Sequence, residues 1–125
     1  MTTEALKAVE AGMTALGLNY AFLRWKDKPK YPYFTGEYQE TPSTTEDGMQ
    51  ESDFTLTGWH RGNLLDLETA KEKIENYFYR DGRTTIAPNG NAVVVSYSHS
   101  FVIPSGDAEL QKIEIHLNVK EWKVN

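Results

Sequence analysis

Hydrophobic residues recur along this chain with two different periods, and the switches between them mark its elements. Leu6, Val9, Met13 and Leu16 are spaced by three, four and three residues, which places them on one face of a helix. Thr2 or Thr3 can cap its start, Glu4 suits the first turn, and Gly17 supplies a stop. Gly12 inside this helix is unfavourable by about 1 kcal/mol against alanine, which points to close packing at that position. Tyr20 to Trp25 reads as a strand that breaks in the stretch Arg24-Trp25-Lys26-Asp27-Lys28-Pro29-Lys30. Tyr31 to Tyr38 reads as the next strand, with Pro32 at its beginning or on an edge because proline has no N–H to give a ladder. Gln39 to Ser52 is a polar loop, and Asp53 to His60 is a strand with Phe54 and Leu56 on one face. These two strands can form a long hairpin with the polar segment at its tip.

The period then returns to that of a helix. Asp66 is read as the cap of a second helix running to Arg80, with Leu67, Ala70, Ile74, Tyr77 and Phe78 on one face. Glu68, Lys71, Glu72, Lys73 and Glu75 lie on the other, and Asp81-Gly82 ends it. Asn89-Gly90 is a turn signal, so a short strand at Thr84 to Ala87 is expected to pair with a longer one from Ala92 to Ile103. On that strand strict alternation puts Val93, Val95, Tyr97, His99, Phe101 and Ile103 on one face and Ser96, Ser98 and Ser100 on the other. Ile113, Ile115, Leu117 and Val119 alternate with Glu114, His116, Asn118 and Lys120, the clearest period of two in the chain. The expectation is a single α+β domain over residues 1–125, ordered α-β-β-β-α-β-β. An antiparallel or mixed sheet carries both helices on one face, with a mobile acidic hairpin loop at about 39–52.

Composition narrows the function classes. The 125 residues suit one modest core, and 39% hydrophobic with 25% charged is the balance of a globular protein. Aromatic residues reach 12%, mostly Tyr and Trp, which are common at protein interfaces. The net charge of −5 disfavours nucleic acid as the main partner. The lack of cysteine excludes disulfides, thiol nucleophiles and thiolate metal sites. No apolar run approaches the roughly 20 residues that span a membrane. The N-terminus has no signal-peptide pattern, so synthesis in a cytoplasm is expected.

No pattern of catalytic residues stands out. His60, His99 and His116 show neither H-x-H nor H-x-x-x-H spacing. His116 and Glu114 can meet His99 across a hairpin, but a metal site there is the less favoured reading beside plain surface imidazoles. There is no G-x-S-x-G elbow, no Walker or Rossmann glycine pattern and no EF-hand spacing around Asp47-Gly48. No enzyme activity, metal or cofactor is expected. What remains is a pair of charged features. Arg24, Lys26, Lys28 and Lys30 interleave with Trp25, Tyr31 and Tyr33, a pattern shared with single-strand binders but also with a solvated turn. Glu40, Glu46, Asp47 and Glu51 gather in the polar loop at the other end of the second strand. Contact between such opposite charges on neighbouring copies would set the register of a head-to-tail assembly.

Nearly the whole chain resembles, in length and element order, the small tail-terminator or tail-completion proteins of long-tailed bacteriophages. The features that carry it are a short N-terminal helix, Lys30-Tyr31-Pro32-Tyr33-Phe34 leading a strand, and a polar excursion. Phe54-Thr55-Leu56-Thr57-Gly58-Trp59-His60 follows, then an amphipathic helix, and two strands close the chain with Ile113-Glu114-Ile115-His116-Leu117. The resemblance implies a non-enzymatic virion protein at the tail–head junction. Copies would form a ring, usually hexameric, that caps the tail tube and joins head-completion proteins. DNA would pass through an acidic lumen without specific binding. An acidic inhibitor or immunity-type protein that blocks a basic partner is the alternative.

Overall fold

The computed structural model describes residues 1–44 and 48–124. The Thr2 hydroxyl accepts the Ala5 N–H at 3.2 Å and starts α1, Thr3–Ala15. Strands β1 (Asn19–Phe22), β2 (Tyr33–Thr44) and β3 (Met49–Arg61) follow, then α2 (Leu64–Phe78), β4 (Arg83–Ile86), β5 (Ala92–Ile103) and β6 (Leu110–Trp122). The strands form one sheet in the order β1-β2-β3-β6-β5-β4. The class is α+β as expected, and the sheet is mixed: β1 runs parallel to β2, and every other pair is antiparallel.

Both helices pack on one face. Ala5, Val9 and Met13 of α1 and Leu67, Ala70, Ile74 and Phe78 of α2 share a core with Phe34, Phe54, Leu56, Val93, Val95, Ile113, Ile115, Leu117 and Val119. Three phenylalanines in this core each lie against a glycine. A methyl on Gly12 would stand 2.5 Å from the Phe78 ring, and one on Gly58 would stand 2.5 Å from the Phe34 ring. At Gly36 the same methyl would strike Phe54 and come 2.7 Å from the Tyr20 hydroxyl. The glycine inside the first helix is therefore a socket for Phe78. The Glu121 carboxylate, buried on the helix side, accepts the Thr2 hydroxyl and the Thr2 N–H (3.3 Å), which ties the start of α1 to the end of β6.

Several boundaries differ from the sequence-based expectation, each for a local reason. The first strand ends at Phe22 because Leu23 turns into a left-handed conformation, φ 70°. The polar segment after Tyr38 is largely strand: Gln39 pairs with Asp53, Glu40 with Ser52 and Thr44 with Gln50. Its partner β6 alternates cleanly beyond Leu117, and Ser52 pairs with Val119, so β6 templates backbone pairing that the polar side chains conceal. Asn63 caps α2, its side chain accepting the Leu65 N–H at 2.8 Å, and Asp66 sits in the first turn. The helix stops at Phe78, before Asp81-Gly82, because Tyr79 adopts φ 60° and its carbonyl accepts the Tyr97 N–H at 2.7 Å.

The largest departure is in β5. Its pairing with β6 shifts between Tyr97 and His99. A bulge adds one residue, so the side chains beyond it exchange faces. Ser100 and Val102 then pair with Ile115 and Ile113 on the helix side, and His99 and Phe101 pair with His116 and Glu114 on the other. The expected single face from Val93 to Ile103 does not exist.

The glycine sockets make a prediction with a definite sign. Gly12→Ala is expected to destabilise the protein by about 1–3 kcal/mol through overpacking, although helix propensity alone favours the alanine by about 1 kcal/mol. Urea unfolding measures the sign. A midpoint raised by Gly12→Ala would show that Phe78 moves aside freely.

Candidate functional site on the open face of the sheet

The face of the sheet away from the helices is uncovered. Register assigns to it Tyr33, Thr35 and Glu37 of β2, and Asp53, Thr55, Thr57 and Trp59 of β3. Lys112, Glu114, His116 and Asn118 of β6 join them, with His99 and Phe101 of β5. Two clusters organise this surface.

The first gathers around Tyr33. Its ring stacks on Trp59 at 5.1 Å, with Trp25 at 5.4 Å and Tyr31 at 5.6 Å from the other directions. The Lys112 ammonium lies 5.7 Å from the Trp59 ring. Burial, then the neighbouring Tyr31, pushes the Tyr33 hydroxyl above its usual pKa of 10.0. These aromatics hold the connection between β1 and β2. Trp25 donates its indole N–H to the Lys28 carbonyl at 3.0 Å, and the Asn19 amide donates to the carbonyls of Lys30 (2.8 Å) and Pro32 (3.2 Å). Arg24, Lys26, Lys28 and Lys30 stand exposed on that connection, and none makes an ion pair among the described residues.

The second cluster centres on His116. Its ring stacks on His99 with centroids 4.5 Å apart and planes 7° from parallel, and Phe101 lies 5.9 Å away. Nδ1 of His116 is 3.0 Å from Asp53 and Nε2 is 2.9 Å from Glu114. Both partners are carboxylates, which only accept, so both ring nitrogens donate and the imidazolium is the form that satisfies them. Burial opposes that charge. The hydrogen bonds and charges of Glu114 and Asp53 outweigh it and raise the pKa above the ordinary 6.5. A histidine so engaged has no lone pair to act as base or ligand. The stacked rings do not converge their nitrogens on one point, and no group of three or more potential ligands is arranged for a metal ion among the described residues. Ser98 Oγ meets His99 Nδ1 at 2.9 Å, but among the described residues no carboxylate bonds His99 to complete a triad.

The acidic candidates divide. Glu46 and Asp47 lie outside the described residues. The Glu40 carboxylate pairs with the N-terminal ammonium of Met1. Glu51 accepts the Asn118 amide at 2.7 Å. The basic connection precedes β2 and Glu40 lies near its far end, roughly 23 Å along the strand at the usual rise per residue. The basic connection and Glu40 are therefore not brought together within one chain. Sequence reasoning missed Trp59 and Asp53 as members of these clusters. Their common parity on β3 was a usable signal. The meeting of His99 with His116 across the hairpin was expected and is found, whereas the bulge that turns His99 and Phe101 to this face left no signal.

No family model matches the sequence, and no curated protein matches it. Among solved structures, it is similar to a chain from the virion of a native gene transfer agent (GTA) particle. The TM-score is 0.62 at 10% sequence identity, covering 95% of this chain and 90% of that one. This chain shares its fold with a virion component. At that identity the likeness shows the fold alone.

The His116 arrangement predicts a pH dependence. A folded-state pKa above 6.5 means that the imidazolium's stabilisation is fully present below 6.5 and is lost as pH rises through the raised value. His116→Gln is expected to cost about 1 kcal/mol at pH 6 and progressively less toward pH 8. Parallel unfolding curves that give the same loss at both pH values would show that charge on His116 contributes nothing.

Proposed function

We propose that this chain is a structural subunit of a phage-like virion. More narrowly, it is a tail-terminator or tail-completion protein that caps the tail tube and joins it to the head. The observation that carries this reading is the fold likeness to a virion component, which runs nearly end to end in both chains. The element order supports the narrower role. So does a surface whose histidine is engaged in ion pairs rather than offered for catalysis.

In this reading the protein is not an enzyme and needs no cofactor. Copies assemble into a hexameric ring and contact tail-tube and head-completion proteins. The exposed cations Arg24, Lys26, Lys28 and Lys30 of one copy face the acids Glu40, Glu46, Asp47 and Glu51 of the next. Glu40 is balanced by the Met1 ammonium within the chain, whereas Glu51 bonds a neutral amide and keeps its charge. DNA passes the ring without specific binding.

The test uses the strain that produces the particle. Deleting the gene is expected to leave heads and tails that both form but stay unjoined, with tails of uneven length. Supplying the chain with Lys26, Lys28 and Lys30 all changed to Glu is expected to restore joining poorly. Normal joined particles in the deletion strain would overturn the proposal, and a tight one-to-one complex with a basic protein would favour the inhibitor reading.

A further inference from the structure

The sheet ends on one side at β4, whose residues are all exposed and pair only with β5 among the described residues. The backbone N–H and C=O groups on its outer side can take up another extended segment. Arg83 and Thr85 pair with Val95 and Val93, which are buried on the helix side, so both side chains rise on that side as well. There a groove of about 240 Å³ separates α1 from β4. It is lined by Ala8 and Ala11 of α1, Thr85 of β4, Phe78 of α2, and Val93 and Val95 of β5. Phe78 is held against Gly12, and the alanines and Thr85 are too short to fill the space. The groove has room for one large apolar side chain that this chain does not supply.

The rim of the groove is charged. Lys7 and Arg83 lie on it together with Glu4, which leaves one cation in excess. The Arg83 guanidinium lies 3.8 Å from the centroid of the Tyr77 ring, and its Nε donates to the Tyr77 carbonyl at 2.9 Å, so the group is fixed in place. Neither Lys7 nor Arg83 makes an ion pair among the described residues. A second copy of this chain is a poor occupant. Joining β4 to β4 would bring two sets of Lys7 and Arg83 to one seam, and the other edge of the sheet, β1, leads into exposed Arg24 and Lys26. An extended acidic segment of a different protein meets the free edge, the apolar recess and the cations together.

We infer that β4 accepts a further strand from a partner protein, an extended segment that carries an apolar residue and, two positions away, an acid. Directly paired residues share a face of a sheet. The apolar residue opposite Thr85 therefore enters the groove, and the acid opposite Arg83 meets its guanidinium. The residue between them points to the other face. Main-chain pairing supplies the affinity, and the groove and its rim select the side chains. The inference goes beyond the virion reading and does not depend on it. It also uses a different surface from the cations of the connection between β1 and β2.

Amide NMR of the purified full chain tests it, with the end-capped peptide Thr-Asp-Thr-Leu-Thr-Asp-Thr as probe. Its two acids serve either strand direction. Binding is expected with a Kd of about 1 mM or tighter, with the largest shifts at the amides of Arg83 to Ile86 and at Ala8 and Ala11. Changing the peptide's leucine to alanine should weaken binding about tenfold. Of two peptides methylated on alternate backbone nitrogens, one should lose binding and the other keep it, since only one set faces β4. A peptide with lysine for both aspartates should bind about threefold or more weakly, and Lys7→Glu should shrink that preference. Ala11→Trp, on the exposed flank of α1, should keep a cooperative urea transition yet lose the peptide. Shifts absent from β4 with the parent peptide overturn the inference. So do two methylated peptides that both bind like the parent, or equal binding of the aspartate and lysine peptides. Protection of β4 amides from hydrogen exchange that grows with the concentration of the chain alone would assign the edge to a second copy and also overturn it. The gene deletion reports on the virion role separately, because peptide binding is measured on the isolated chain.

Discussion

The seating of phenylalanine rings on glycines is the constraint from which the rest of the structure follows. Phe34 lies over Gly58 on the neighbouring strand, Phe54 over Gly36, and Phe78 over Gly12 of the first helix. Phe34 has its glycine directly opposite and Phe54 reaches Gly36 diagonally; each ring needs a glycine there, because any Cβ would stand inside the contact distance of close-packed atoms. Two of these pairs couple β2 to β3, and the third brings the helices together. A slip of one residue in the hairpin would put Phe34 against a side chain and turn every residue of β2 over. The register that suits the rings also pairs Tyr33 with Trp59 and sets Asp53 beside the strand that carries His116.

The opposite face is thus a by-product of the core that has acquired its own organisation. The β5 bulge is the second device. One extra residue between Tyr97 and His99 moves two aromatic rings from the helix side to the open side. There they stack with an imidazolium held by two carboxylates. The result is an ordered polar and aromatic surface on which His116, Asp53 and Glu114 are paired with one another.

The edges of the sheet behave differently from its open face. On the face, His116, Asp53, Glu114 and the aromatic rings find partners within the chain. At the edges, Leu23 and Tyr79 combine strained backbone with exposed apolar area, and the cations from Arg24 to Lys30 stand without ion pairs among the described residues. Features left uncompensated in the single chain are where an assembly would recover free energy.

Much was legible from the sequence. The helical spacing of Leu6 to Leu16 and of Leu67 to Phe78, and the alternation of β6, each bury one face. A period of 3.6 or of 2 is visible without knowing what lies opposite. Gly12 announced a close neighbour for the same reason, since its cost in a helix is local. The tertiary structure alone decided three things. It extended β2 and β3 through a polar segment because β6 supplied the pairing. It inserted the bulge that builds the His99–His116 stack. It made β1 parallel to β2 and left Leu23 and Tyr79 at opposite edges. These depend on backbone hydrogen bonds between distant segments, and such bonds have no side-chain signature in the linear chain.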